Sequence, residues 1–314
     1  MSVRTASVTS ALLTRRARAL GRYLPQALKG HDRGVHQARV ASRRLREAVP
    51  VLAGKLEHSK AGKARRKIRR LTRALGGVRE LDVTIQLLDE LSRSDDLSRP
   101  ALQDVRLHVM EQRQQKRELM LERLGDVDIE KLKRRLQSVS EALRHDQTGA
   151  WRQVLGARLM KRTRRLANAI DNAGQLYSPE QLHQVRIAAK KLRYALELAA
   201  DSGLKAAVSH VRALKRTQTT LGRLHDLQVL QRHVAAVQAR PAGRSAPHQG
   251  LDPLAARIEE ECRRLHGRYV RQLDTLVDLT HAVPSDIVAR LTTPRGRSVK
   301  MSLSRTRRAA AVRR

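Results

Sequence analysis

His36, Arg39, Arg43 and Arg46 stand at i, i+3, i+7 and i+10, and at about 100° per residue that spacing puts all four on one side of a helix. Guanidinium groups are permanently charged, fork-shaped donors, and imidazole N–H groups donate beside them. Such a row can hold the oxygens of an anionic ligand. The same row is written again as His183, Arg186, Lys190 and Arg193. Two roles compete for His36 and His183. They either donate N–H bonds to phosphate oxygen, in which case a bound polyanion raises their pKa, or they orient an acidic or backbone group near the helix start. No Cys or carboxylate accompanies them at ligand spacing, so no metal site is expected.

The elements that carry these rows are the segments Val35–Glu47, VHQARVASRRLRE, and Leu182–Tyr194, LHQVRIAAKKLRY. Ala38, Ala41, Leu45, Ala48, Val49 and Leu52 fall opposite the first row, and Val185, Ala188, Leu192, Ala195, Leu196 and Ala199 opposite the second. Each segment therefore reads as a cationic stripe on an apolar back. A helix from about Thr9 to Lys29 precedes the first copy, its Leu12, Leu13 and Leu20 apolar and its Arg15, Arg16 and Arg18 polar, with Gly30 and Gly34 flanking the turn between them. A third helix starts near Lys60, with Arg66, Arg69, Arg70 and Arg73 on one face and Ile68, Leu71, Leu75 and Val78 on the other. After the polar link SRSDDLSRP a fourth runs from about Ala101 to Leu124, and Asp126–His145 reads as a connector.

The second half then repeats the first at an offset of about 146 residues, Val154–Ala173 aligning with Val8–Ala27. Lys161, Arg162 and Arg164 fall on Arg15, Arg16 and Arg18; Lys215 and Arg216 on Arg69 and Arg70; Leu221-Gly222 on Leu75-Gly76; and His225-Asp226 on Arg79-Glu80. Ser178 and Pro179 form an N-cap and first-turn pair ahead of the second stripe. The loop RPAGRSAPHQGLDP precedes a last helix from about Leu254 to His281. The expected organisation is a flexible stretch at 1–8, a first helical repeat at 9–125, a connector at 126–148, a second repeat at 149–285 and a disordered basic tail at 292–314.

Composition names the partner class. The 314 residues hold 65 Lys and Arg against 30 Asp and Glu, a net charge of +35, with 40% apolar residues to build a core. Such an excess repels itself unless something anionic neutralises it: nucleic acid, an anionic membrane surface or a phosphate polymer. Aromatic residues make up only 2%, with no Phe, so the base-stacking platforms of single-strand binders are scarce. The lone Cys262 cannot form an intrachain disulfide and fits a reducing, cytoplasmic setting. No apolar run is long enough for a transmembrane helix. The acid-free first twenty residues resemble a transit peptide, but the later copy of this segment favours a structural helix.

These motifs resemble the CHAD family, the conserved histidine α-helical domain. The likeness is carried by His36-x-x-Arg39-x-x-x-Arg43-Arg44-x-Arg46, by His183-x-x-Arg186-x-x-x-Lys190-Lys191-x-Arg193-Tyr194, and by the segments Leu75–Asp82 and Leu221–Asp226. The resemblance implies an all-α fold of two pseudo-symmetric four-helix bundles, made by internal duplication of long antiparallel helices. It also implies binding of inorganic polyphosphate, often at polyphosphate granules, with no cofactor. The residues expected to line the site are those of the two motifs together with Arg15, Arg16, Arg66, Arg69, Arg70, Arg73, Arg79, Lys161, Arg162, Arg212, Lys215, Arg216, Arg223 and His225. No ExExK signature is present, so the hydrolase domain fused to other members is not expected. His225 in place of Arg79, and Gln228 in place of Asp82, imply halves that need not bind equally.

A polyphosphate chain offers closely spaced oxygens and no base, sugar or apolar face, so its binder needs Arg for bidentate contacts and Lys as point charges. Nonspecific nucleic-acid binding is the alternative, and an acidic protein partner is a third. No GxxxxGK[ST], GxSxG or metal-ligand cluster appears, which argues against an enzyme. Glu80 and Asp226 either orient the stripes or form ordinary surface ion pairs; Arg79 and Asp82 are spaced to pair along their helix; and Arg113, Lys131 and Arg135 read as solvated. Reversing His36, Arg39, Arg43 and Arg46 to Glu is expected to weaken binding without unfolding the protein.

Overall fold

The computed structural model describes residues 2–54, 59–93, 96–145, 148–240 and 250–292, and every regular element among them is helical. The helices are α1 (Ser2–Leu28), α2 (Asp32–Leu52), α3 (Ser59–Ala74), α4 (Val78–Leu91), α5 (Arg99–Gly125), α6 (Ile129–His145), α7 (Trp151–Ala173), α8 (Pro179–Asp201), α9 (Ala207–Gln238), α10 (Leu251–Val270) and α11 (Leu273–Val283). A π-helical turn, Pro284–Val288, and a last α-helical turn, Ala289–Thr292, follow. The expected tail, from residue 293 on, and most of the loop before α10 lie outside the described residues.

Three boundaries differ from the sequence reading, each for a local reason. The stretch expected to be flexible is helical from Ser2, because SVRTASV holds no Gly or Pro to stop a helix already anchored by Leu12 and Leu13. The helix expected from Lys60 onward breaks at Leu75–Gly77 into α3 and α4. Two consecutive glycines make that break inexpensive, whereas the second copy has one, Gly222, and α9 runs through it unbroken. The last helix divides at Arg271–Gln272, where the Gln272 N–H bonds to the Tyr269 carbonyl and its side chain donates to Thr220 of α9. Ser178 takes the N-cap position of α8 with Pro179 in the first turn, but its side chain makes no cap bond.

α1 and α2 form a tight antiparallel pair. Gly30 supplies the positive φ, 75°, that turns the chain between them, and Gly34 lets α2 approach so closely that a Cβ there would stand 2.8 Å from the Ala27 backbone nitrogen. α7 and α8 pair in the same way, and α9 packs along α8 and α10. α6, expected as a connector, packs along α1 and α3 instead; Ser10 and Thr14 of α1 bond to Ser140. In the second half α11 and the turns after it lie on α7. Buried apolar side chains from Leu12 to Leu291 make one continuous core shared by both halves.

For the site, one consequence of this packing matters. α2 rests on α1, α3 and α4, α8 rests on α7 and α9, and α2 also touches α7 and α8. Burial of Leu45, Ala48 and Leu52 on α2 and of Leu192, Ala195 and Ala199 on α8 fixes the rotation of each helix. The stripes opposite must then stay out of the core.

Candidate functional site

The two stripes converge. Lys190 of α8 lies within Coulombic reach of Arg43 and Arg39 of α2 and of Arg186 and Arg193 on its own helix, and Arg186 in turn feels Arg43. Neighbouring helices extend this cationic face. Arg79 of α4 stands near His36, Arg69 of α3 near Arg46, and His225 and Arg232 of α9 near His183 and Arg186. Tyr194 sits among Arg39, Arg46 and Arg186, with the Arg193 guanidinium 4.9 Å from its ring centre.

Burial and like charge act together on the protonation of this face. Burial, and then the guanidiniums of Arg43, Arg186, Arg39 and Arg193, lower the Lys190 ammonium to about 7. Burial and Arg43 bring Arg39 down to about 10, where it is still charged at neutral pH. His36 and His183 are both depressed, first by burial and then by nearby arginines. Between pH 7 and the ordinary lysine range the folded protein therefore holds fewer protons at Lys190 than the unfolded chain, so stability rises with pH through that window. The histidines act with the same sign below 6.5. The melting temperature of the ligand-free protein is expected to climb from pH 6 to pH 9, and a thermal melt that instead fell over this range would show that Lys190 is not held among cations.

Among the described residues, Arg43, Arg46, Arg79, Arg186 and Lys190 have no carboxylate at ion-pair distance. Glu80 and Asp226 lie within Coulombic reach of Arg186 without pairing with it; burial raises the Asp226 carboxyl. Arg39 is part of the scaffold as well as of the face, since its guanidinium donates to the Gly76 carbonyl and, at 3.5 Å, to that of Leu75. It thereby satisfies the orphan carbonyls where α3 ends. The Nδ1 of His36 is buried without a hydrogen-bond partner, while Nδ1 of His183 lies 3.1 Å from Nδ1 of His225.

Several expected site residues are committed elsewhere. Arg16, only 5% exposed, donates to Asp201 of α8 at 2.7 Å and to the Arg44 carbonyl at 2.9 Å, and Arg15 pairs with the same Asp201 at 2.9 Å. In the other half Arg162 donates to Glu47 of α2 at 2.6 Å and to the Lys191 carbonyl. Glu197 joins Arg44 of α2, at 3.2 Å, to Arg193 of α8, at 2.8 Å. Arg223 of α9 pairs with Glu90 of α4 at 2.6 Å. Arg16 and Arg162 are struts between the halves, because a buried guanidinium needs a carboxylate and theirs comes from the facing helix; Arg15, Arg44 and Arg223 make more exposed pairs across the same junction. Arg66, Arg70, Arg73, Lys161, Lys191, Arg212 and Arg216 are exposed, and no described contact links them to the face. Lys215 borders a separate cavity of about 460 Å³ with Arg15, Arg44, Glu197 and Asp201.

Two further readings change. Arg113, expected to be solvated, bridges Asp82 and Asp32 at 2.6 Å each, so Asp82 pairs across to α5 and Arg79 is left facing His36. Glu47, Glu197 and Asp201 were missed as scaffold, although Glu47 four residues after Arg43 and Glu197 four residues after Arg193 are acids set beside a basic row, and such an acid signals a partner. Arg232, at i+7 from His225, lies on the same side of α9 and was legible from spacing alone.

A family model described as the CHAD domain matches residues 11–235, a span that holds both stripes. No curated protein matches the sequence. Among solved structures, the chain is similar to the CHAD domain from the plant Ricinus communis, with 23% identity over 88% of this chain and 91% of that one and a TM-score of 0.58. It is also similar to PptA from Streptomyces chartreusis, with 17% identity over 86% of this chain and 99% of that one and a TM-score of 0.61. At such identities the two structures bear on the fold.

Proposed function

We propose that this chain, which belongs to the CHAD domain family, binds inorganic polyphosphate along the face where α2 and α8 meet and associates through it with polyphosphate granules. The observation that carries the reading is the convergence on Lys190: an ammonium surrounded by Arg39, Arg43, Arg186 and Arg193, beside cations that lack carboxylate partners. Like charges brought together and partly dehydrated are unfavourable alone and become favourable when a dense linear anion threads between them. Arginines fork onto adjacent phosphate oxygens and Lys190 regains its proton.

Shape and composition support a phosphate polymer over a nucleic acid. Among the described residues Tyr194 is the Tyr, Trp or Phe ring on the face, and Arg193 already lies over it; Trp151 and Tyr269 are buried in the core. Beside it stand only the small imidazoles of His36, His183 and His225, two of them in contact with each other, which is a poor platform for the stacking that contributes about 1–3 kcal/mol per base in single-strand binders. Binding without catalysis is the role this arrangement supports.

Competition at physiological salt tests the reading. Labelled long-chain polyphosphate is bound to the protein and challenged with single-stranded DNA, duplex DNA and RNA at matched phosphate concentration. Polyphosphate is expected to resist large excesses of all three, and its affinity to fall with salt at a slope on the order of −0.7 per neutralised phosphate. Displacement phosphate for phosphate by nucleic acid would replace this reading with a generic polyanion sink.

A further inference from the structure

The two stripe histidines have different neighbours. On α2, His36 has Arg79 beside it, a group charged at every accessible pH. On α8 the corresponding neighbour of His183 is His225, and the imidazoles touch, Nδ1 to Nδ1 at 3.1 Å with ring centres 4.6 Å apart. A hydrogen bond between two ring nitrogens requires a proton on one and a lone pair on the other, so at least one ring of this pair is neutral.

The surroundings keep it neutral. Arg186 and Lys190 of α8 and Arg232 of α9 face the pair, against Glu180 of α8 and Glu80 of α4, with Asp226 next to His225 in sequence. Burial first, and then Arg186, His183, Arg232 and Lys190, bring His225 down to about 4, and at His183 burial, Arg186 and Arg232 outweigh the two glutamates. A phosphate group arriving beside the rings reverses that balance, because an anion favours the imidazolium and both rings then have N–H groups to donate.

We propose that the His183–His225 contact is a proton gate in the polyphosphate-binding face: both rings donate to phosphate only as the pair takes up a proton, while the Arg79 beside His36 is always charged. The inference rests on the polyphosphate reading. It makes polyphosphate bind more tightly as pH falls, and it makes His225 the residue that sets this response.

The test measures affinity of the full chain for long-chain polyphosphate at pH 7.5 and pH 5.5 at constant ionic strength. Calorimetry in two buffers of different ionisation enthalpy counts protons taken up. Wild type, H225R, H225Q and the reciprocal R79H are compared, so that the difference between proteins is the readout; Lys190 lies within reach of His225, and H225Q, which adds no charge there, is the variant that isolates the pair from Lys190. Each bound proton gives about a tenfold gain in affinity per pH unit over its window, so wild type is expected to tighten by about tenfold on acidification. H225R is expected to bind at pH 7.5 about as tightly as wild type does at pH 5.5 and to take up about one proton fewer. H225Q, which keeps a neutral hydrogen-bonding group, decides the matter if H225R does not fold, and is expected to lose the acid gain. R79H is expected to weaken binding at pH 7.5 and to steepen the response. Wild-type pH dependence and proton uptake retained in both His225 variants would overturn the gate while leaving the polyphosphate reading intact. Failure of wild type to bind polyphosphate at either pH would overturn both.

Discussion

Replacing Arg43 and Lys190 together with glutamate is expected to abolish measurable polyphosphate binding while leaving the ligand-free protein at least as stable as wild type. The two residues stand where the stripes meet, one from each half, and Lys190 feels Arg43 more strongly than any other charge. Neither has a carboxylate partner among the described residues, so their removal breaks no ion pair. Charge-assisted hydrogen bonds contribute about 1.5–3 kcal/mol each. Losing two of them amounts to roughly a hundredfold to ten-thousandfold in affinity, and the reversed charges add repulsion. In the absence of ligand the new carboxylates lie near Arg39 and Arg186 and relieve the crowding among the cations that remain, so the melting temperature stays level or rises. This is the expected signature of a site kept under electrostatic strain for function. Binding within threefold of wild type would remove the convergence point from the site, and a fall of more than a few degrees in melting temperature would make the stripe structural. The double variant is a cleaner probe than reversal of His36, Arg39, Arg43 and Arg46, because Arg39 also closes the end of α3 through the Gly76 carbonyl.

The stripes were legible because their signal is local. Spacing of His36, Arg39, Arg43 and Arg46 against Leu45, Ala48 and Leu52 depends only on helical geometry, and so does the second copy. The all-helical fold follows from the same periodicity. What the sequence left open is which cations are free. Arg16 and Arg162 carry the same side chain as Arg43 and lie in equally basic runs, yet each is consumed by a carboxylate from the other half, and the pairs Arg16–Asp201 and Arg162–Glu47 are 185 and 115 residues apart. No local pattern contains such pairings. The same holds for Arg113, which reaches Asp32 and Asp82 only because α5 lies against α4 and the start of α2. The α3–α4 break was readable from Gly76-Gly77, a stronger signal than the single Gly222 of the other copy. The packing of α6 on α1 was not, because an amphipathic helix says that it needs a partner without saying which one.

The complementary variant, Glu47→Ala, is expected to damage the fold and spare the site. Glu47 is 8% exposed and accepts from Arg162 at 2.6 Å and Arg158 at 3.2 Å, tying α2 to α7. Truncation leaves the Arg162 guanidinium, itself mostly buried, with the Lys191 carbonyl but no counter-charge. Removing one partner of a buried pair costs about 3–5 kcal/mol, since the remaining charge is left desolvated and uncompensated. For a chain of this size that corresponds to a fall of roughly 10 °C in melting temperature. Glu47→Gln, which keeps an acceptor oxygen in place, is expected to lose less. Measured well below either melting temperature, polyphosphate affinity is expected to stay within a few-fold of wild type, because Glu47 and Arg162 reach the face only through Arg46 and neither is among the charges that act on Lys190. Thermal melts and titrations of both variants decide the point. A melting temperature unchanged by Glu47→Ala would mean that the strut does not join the halves, and a large loss of affinity without loss of stability would place Arg162 back in the binding site.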